Sequence, residues 1–207
     1  GGTSWAQFSH WYGGFGYQEV HADQHGMAFA PGSSTRMIFG NDGGVYYSNN
    51  GGTTTQSRNQ GLNVTQFYSV GVAPNQAVSG ITLAGDYFAA GAQDNGTQYF
   101  GNAAAGVTGS IESQGGDGAY TLFDQGSDKY YISNYVYNEN INIRPLPGST
   151  VTARALDNDN NGNNGAFIAP MVLDSNQDIL YSDYSNGTTY RVRRYTNIKS
   201  GTIGRTD

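Results

Sequence analysis

The chain of 207 residues contains no cysteine. Disulfides, thiol catalysis and cysteine-ligated zinc all need a sulfur, so none of them applies. Charge is also scarce: 13% of residues are charged and the formal net charge is −6. A nucleic-acid footprint needs a basic stripe, and the one run of cations along the chain is Arg191, Arg193 and Arg194. These facts argue against nucleic acid and against an anionic membrane surface as partners. No apolar run approaches the ~20 residues of a spanning helix, so no membrane insertion is expected. A 3.6-residue apolar period is absent as well, which leaves helical repeats without their signature.

What the chain has instead is 31 glycines, 16 tyrosines and many Asn and Ser residues. This is the composition of an all-β protein kept in solution by neutral polar groups. Asn or Asp beside Gly recurs between short tyrosine-rich runs. Asn41-Asp42-Gly43-Gly44 divides Arg36-Met37-Ile38-Phe39 from Val45-Tyr46-Tyr47, and Gln93-Asp94-Asn95-Gly96 divides Tyr87-Phe88-Ala89-Ala90 from Thr97-Gln98-Tyr99-Phe100. Ser185-Asn186-Gly187 does the same before Thr188, and Asn138-Glu139-Asn140 is a glycine-free version. Such pairs supply the positive φ that tight strand connections need, so each is expected to be a hairpin. The sequons at Asn63, Asn95 and Asn186 are assigned to turns on the same grounds.

A second marker keeps time with the first. Ala30, Ala73, Asp124 and Asp174 each close an opening strand, at intervals of 43, 51 and 50 residues. A repeat of that length made of short strands fits a propeller blade. The expected fold is an all-β β-propeller fragment of about four blades, each of three to four antiparallel strands. The blades run over about 20–62, 63–115, 116–164 and 165–207, with residues 1–19 ending a preceding blade. The first residue is Gly1 rather than Met, and four blades is the lower limit of closure. The expectation is therefore one propeller domain that continues into the remaining blades of a longer chain.

Ser48-Asn49-Asn50-Gly51-Gly52-Thr53-Thr54-Thr55 resembles an Asp-box (BNR-like) loop, Ser-x-Asp-x-Gly-x-Thr-Trp, with Asn50 for the Asp and Thr55 for the Trp. Val20-His21-Ala22-Asp23-Gln24-His25, Phe29-Ala30-Pro31, residues 40–46 and Gly91-Ala92-Gln93-Asp94-Asn95-Gly96-Thr97 extend the likeness. Together they are similar to secreted bacterial propellers of the sortilin/Vps10-like and xyloglucanase-like (glycoside hydrolase family 74) group. The resemblance spans residues 17–200 and is strongest over 20–100. It implies a propeller of seven or more blades in an exported protein, secreted or held at a bacterial cell surface. It does not fix a function, because the fold hosts glycosidases, receptors and adhesins.

Candidate chemistry begins at His21, Asp23 and His25. At i, i+2 and i+4 of a strand they would share one face, and the opening strand of a blade lines the channel. The three could form a hydrogen-bonded structural cluster, hold a polar ligand or bind a transition metal; divergence along a flat strand favours the first. Asp157, Asp159 and Asn161, before Gly162, match the first half of a calcium loop, but position 12 is Ile168 rather than Glu. A flexible Asn-rich connection is the other reading, and calcium is the one cofactor in view. Trp11 and Tyr12, within an aromatic Gly-rich segment that includes Trp5, Phe15 and Tyr17, would stack on sugar rings if exposed and pack a blade if buried; burial is expected. Arg191, Arg193 and Arg194 read as the solvent face of a strand.

Glycosidase chemistry needs two carboxylates flanking a cleft, one with a raised pKa. Asp42 and Asp94 occupy turns, and Asp124 and Asp174 end strands. That leaves Asp23 and Asp117 as catalytic candidates, neither of which aligns with the family's catalytic aspartates. The expected function is a non-catalytic binding or structural module that recognises an extracellular glycan or surface protein. The alternatives are a glycoside hydrolase acting on β-linked polysaccharide and an architectural module of a surface filament.

Overall fold

A computed structural model describes residues 2–62, 64–74, 87–102, 109–146, 153–159 and 164–207. The chain divides into two compact units, Gly1–Thr65 and Gln66–Asp207. Apart from a 3₁₀ turn at Val136–Asn138, every regular element among the described residues is a strand.

In the first unit, β1 (Ser9–His10) pairs in parallel with β2 (Gln18–Glu19). A four-stranded antiparallel meander follows, built from β3 (Gln24–Phe29), β4 (Met37–Asn41), β5 (Gly44–Ser48) and β6 (Gln56–Ser57). Its small core is Val20, Met37 and Phe39, with Tyr46 packed against it. The Phe39 and Tyr46 rings stack at 5.9 Å as a cross-strand pair.

The second unit holds three more meanders. They comprise β7 (Ser69–Val72), β8 (Phe88–Ala92), β9 (Gly96–Phe100) and β10 (Ser110–Gln114); β11 (Gly118–Phe123), β12 (Tyr130–Tyr135), β13 (Ile141–Pro145) and β14 (Arg154–Asp157); and β15 (Met171–Asp174), β16 (Ile179–Asp183), β17 (Val192–Thr196) and β18 (Gly204–Thr206). The sheets are antiparallel and their strands follow one another in sequence, as the hairpin signals predict.

The turns carry positive φ, although not always where expected. Asp94 (φ 57°), Gly96 (69°) and Gly187 (75°) behave as the sequence suggests. In the first meander Gly44 (113°) takes the left-handed region and Gly43 does not. Gly43 is required for space instead, since a Cβ there would overlap the His21 ring. The glycine-free connection uses Tyr137 (55°) and Asn138 (53°), and Asn tolerates that region better than most residues.

Within the second unit, neighbouring sheets are joined by bonds between residues about one repeat apart. Ser69 Oγ donates to Ala119 O (3.1 Å) and accepts from Thr121 N (2.9 Å). Thr121 Oγ1 accepts from Gly71 N (2.9 Å) and, over a shorter separation of 32 residues, donates to Ala89 O (2.7 Å). One sheet further, Gln125 N donates to Ser175 Oγ (2.9 Å) and Tyr130 OH to Asp178 Oδ1 (2.8 Å). β11 therefore lies against β7 and β8 on one side and meets β15 on the other. Side chains are trimmed to allow this: Ala89, Ala90 and Ala92 are fully or almost fully buried, and a Cβ on Gly91 would meet the Ala119 backbone nitrogen at 2.6 Å.

Larger residues fill the space beyond that joint. Ile132, Ile141, Leu156, Leu180, Tyr195 and Ile198 form one fully buried cluster from two adjacent sheets. Each such aliphatic side chain contributes about 1.5–3 kcal/mol relative to exposure. A separate aromatic stack of Tyr99, Tyr131 and Phe123, with centroids 5.3 and 5.4 Å apart, fills the space beside it.

Gly91→Ala should destabilise the protein by about 2–4 kcal/mol, because a methyl group would be forced into the neighbouring backbone. Gly187→Ala, at positive φ with open space around it, should cost only about 1–2 kcal/mol of backbone strain. Urea denaturation of both variants checks the order; equal losses would show that the sheets do not approach at Gly91.

Candidate functional site

His21, Asp23 and His25 do not share a strand face. β3 begins at Gln24, and Asp23 sits at φ 57°, which turns the chain before the strand starts. The register also shifts between Gln24 and Gly26. His21 is held over Gly43, whereas the His25 Nε2 reaches Asp42 Oδ1 at an exposed position. The expected three-residue constellation is thus replaced by two separate contacts. An exposed polar contact of this kind is worth little.

The loop at residues 48–55 is organised by two side chains. Ser48 Oγ donates to Asn50 Oδ1 (3.0 Å) and accepts from Gly52 N (2.9 Å). Asn50 Oδ1 also accepts from Thr54 N (2.9 Å), and Asn50 Nδ2 donates to Thr54 Oγ1 (2.9 Å). The acceptor oxygen of an Asp in this position is therefore supplied by Asn50, and Gly51 (φ 69°) and Gly52 (89°) allow the tight path. Where the Asp-box pattern has Trp, Thr55 is pinned through its N and Oγ1 to Gln18 Oε1 (2.7 and 3.0 Å).

The aromatic segment beside this loop is exposed, contrary to the expected burial. Trp11 is 55%, Tyr12 69% and Phe15 89% accessible. Positive φ at Gly13, Phe15 and Gly16 folds the segment as a chain of turns rather than a strand. The Trp11 and Tyr12 rings lie 5.0 Å apart at 38°, and His10 braces the loop by accepting from Tyr12 N and Gly14 N through Nδ1 (both 3.3 Å). The result is a small shelf of aromatic surface.

The expected calcium ligands are otherwise engaged. Asp157 is buried at the end of β14, where its Oδ2 accepts from Tyr195 OH (2.8 Å) and faces Arg193 (3.5 Å) and Arg205 (3.6 Å). Asp159 Oδ2 accepts from Tyr184 OH (2.8 Å), and Asn161 lies outside the described residues. Two guanidiniums around one carboxylate make Asp157 a poor calcium ligand. Burial first, and then the bond to Asp159, pushes the Tyr184 hydroxyl up to about 12. Arg193 was expected to face solvent, but it stacks on Tyr184 with its guanidinium carbon 3.4 Å from the ring centroid. β17 does alternate; Arg193 and Tyr195 are on its inner side, and Val192 and Arg194 face outward.

Of the two catalytic candidates, Asp117 has a bonding role of its own. Asp117 Oδ1 accepts from Asp94 N (2.9 Å) and so braces the hairpin of residues 93–95. Asp183 and Asp207 both titrate below the ordinary 3.8, the opposite direction to a general acid. At Asp183 the desolvation that would raise the value is outweighed by bonds from Ser185 and from the Ala166 amide.

One site could not be found along the sequence. Between the third and fourth meanders lies a cavity of about 600 Å³ whose lining includes Lys129, Arg154 and Lys199. These come from the start of β12, the start of β14 and the loop after β17. Three cations 25 and 45 residues apart make no run in the chain, which is why composition pointed elsewhere. Lys199 is paired with Asp128 and Asp178, the latter at 2.6 Å. Arg154 donates to Ile198 O (2.8 Å) and Gly201 O (2.6 Å). Tyr130, Ile143 and Pro145 give the cavity an apolar wall.

No protein-family model matches the chain, and no curated protein matches it. Among solved structures, it is similar to an ancestral GH74 enzyme, with 14% identity and a TM-score of 0.37 over 88% of this chain. The match spans 25% of that enzyme's length, and so remote a likeness carries no argument about chemistry.

Asp183→Asn should cost roughly 1 kcal/mol near neutrality by weakening two charge-assisted bonds. Because the folded carboxyl titrates below 3.8, its contribution is present above that value and lost as pH falls through the lower folded value. Stability of the wild type and the variant should therefore differ at pH 6 and converge at the acid end. A constant difference in denaturation midpoint across that range would contradict the assignment.

Proposed function

We propose that these residues are consecutive blades of an Asp-box-type β-propeller in an exported bacterial protein, and that this stretch binds extracellular glycan without cleaving it. The four sequential meanders, the joints one repeat apart and the Ser48–Asn50 bonding of the 48–55 loop support the propeller reading. The observation that carries the binding reading is the exposed Trp11 and Tyr12 shelf. Aromatic faces of this kind cover the apolar faces of pyranose rings, while a polar rim satisfies the hydroxyls. Catalysis is disfavoured because Asp117 and Asp183 serve backbone amides and Asp128 and Asp178 serve Lys199. The remaining blades of the parent chain complete the domain in this reading.

A glycan array probed with the purified protein, followed by polysaccharide incubation with reducing-sugar detection, tests this. The expected result is retention of a neutral glycan, no sugar release, and roughly a tenfold loss of affinity in Trp11→Ala, the scale of one good aromatic contact. Sugar release would favour the hydrolase reading. Unchanged affinity in Trp11→Ala and Tyr12→Ala would remove the shelf from the site.

A further inference from the structure

Asn is followed by Gly five times, at Asn50, Asn95, Asn161, Asn164 and Asn186. Such a pair is chemically labile, because a glycine amide nitrogen, with no Cβ to crowd it, can attack the side-chain carbonyl carbon of the Asn before it. The attack needs a nitrogen free to lose its proton, so a hydrogen-bonded amide must first open locally, as it must for hydrogen exchange. Three pairs are restrained in this way. Gly51 N donates to Thr35 O (2.9 Å), Gly96 N to Gly116 O (2.7 Å) and Gly165 N to Ser185 O (2.7 Å). The side-chain amides of the same pairs are held too: Asn50 Nδ2 donates to Thr54 Oγ1 (2.9 Å), Asn95 Nδ2 to Gln93 O (3.1 Å) and Asn164 Nδ2 to Asp159 O (3.2 Å). Asn161 lies outside the described residues.

Asn186 differs on each count. It lies in the loop between β16 and β17, where residues 186–190 are all exposed, and a Cβ on Gly187 would find open space. Among the described residues nothing accepts from Gly187 N or from Asn186 Nδ2. The side-chain carbonyl oxygen, in contrast, is bonded twice, accepting from Thr189 N (3.0 Å) and Thr188 Oγ1 (3.1 Å). Two donors on that oxygen polarise the carbonyl and stabilise the negative charge that attack places on it. The nitrogen that must leave is unrestrained.

We propose that Asn186 is a site of spontaneous succinimide formation, selected by the fold over Asn50, Asn95 and Asn164. Gly187 N gives its proton to solvent hydroxide and bonds to Asn186 Cγ. The Cγ–Nδ2 bond breaks and the nitrogen leaves as ammonia, taking a proton from water, so the hydroxide is regenerated. Water then adds to one of the two ring carbonyls and opens the ring to Asp or isoaspartate. Either product adds a negative charge to the loop. Isoaspartate also lengthens the backbone by a methylene, so the bond from Asn186 N to Thr189 O (3.1 Å) that closes the loop cannot keep its geometry. The reaction needs no ligand and does not rest on the Trp11 shelf.

Peptide mapping of the whole protein aged in mildly alkaline buffer, by mass spectrometry that separates Asp from isoaspartate, tests the proposal. Asn186 should convert roughly tenfold faster or more than Asn50, Asn95 and Asn164, the scale set by local opening of a bonded amide. Isoaspartate should be among the products, and the rate should rise with pH because the nitrogen attacks without its proton. Gly187→Ala, whose Cβ crowds the nitrogen, should slow conversion severalfold. Thr188→Ala, which removes one donor from the carbonyl oxygen, should slow it to a lesser extent. The same chain unfolded in guanidinium chloride is the control, and there the Asn-Gly pairs should react at similar rates. In the folded protein, conversion of Asn50, Asn95 or Asn164 as fast as Asn186, or no conversion at Asn186 while the unfolded chain reacts, would overturn the proposal. So would a lead of Asn186 that persists after unfolding, or unchanged rates in both variants.

Discussion

The second unit depends on how closely two backbones approach where β11 meets β7 and β8. A strand buried between two sheets still carries amides and carbonyls that its own ladder leaves over, and each unpaired one costs about 1–3 kcal/mol. Ser69 and Thr121 meet this need with two hydroxyls, each used both as donor and as acceptor. Hydroxyls reach backbone groups only at short range, so the facing residues must be small. Gly71, Ala89, Gly91 and Ala119 follow from that demand. Where the sheets diverge from the joint, tyrosines and isoleucines take over the volume.

The same solution recurs with amides between the third and fourth meanders. Asn138 is fully buried; its Oδ1 accepts from Asn134 Nδ2 (2.7 Å) and its Nδ2 donates to Ser182 Oγ (2.8 Å) and Asn164 O (3.1 Å). A network in which each member has partners fixes one arrangement, whereas a half-satisfied one would destabilise the core. Asp157 is the ionic counterpart, enclosed by one hydroxyl and two guanidiniums. Asp157 thus holds its charge where it is shielded from water, while neutral polar groups are the common fastener. The 3₁₀ turn at Val136–Asn138 exists to deliver Asn138 to this place, which explains why that connection uses Asn rather than Gly at positive φ.

Local features were legible in the sequence, and convergent ones were not. The hairpins at Asp94, Gly96 and Gly187 and the glycine-free turn at Asn138 could be read from residue type, because a backbone preference acts over two or three residues. The 50-residue beat reappears as the spacing of the bonds between Ser69 and Ala119 and between Gln125 and Ser175. The His21, Asp23 and His25 constellation failed because a single positive φ at Asp23 breaks the strand on which its geometry relied. The calcium pattern gave no sign that Asp157 answers to Tyr195 and Arg193, 38 and 36 residues away. The cavity of Lys129, Arg154 and Lys199 was invisible for the same reason. Aromatic exposure at Trp11 and Tyr12 went against the usual burial of large rings, in a segment that folds as glycine-rich turns.

The second unit as a whole rests on the joint between its sheets. Amide hydrogen exchange at Gly71 in Thr121→Val tests that joint most directly. The substitution keeps the shape of residue 121 and removes the oxygen that accepts from Gly71 N at 2.9 Å. Protection at Gly71 should fall by at least tenfold and global stability by about 1–3 kcal/mol, because a buried donor is left unpaired. Unchanged protection at Gly71, with unchanged stability, would contradict the stacking of β7 on β11 from which the rest of the unit is built.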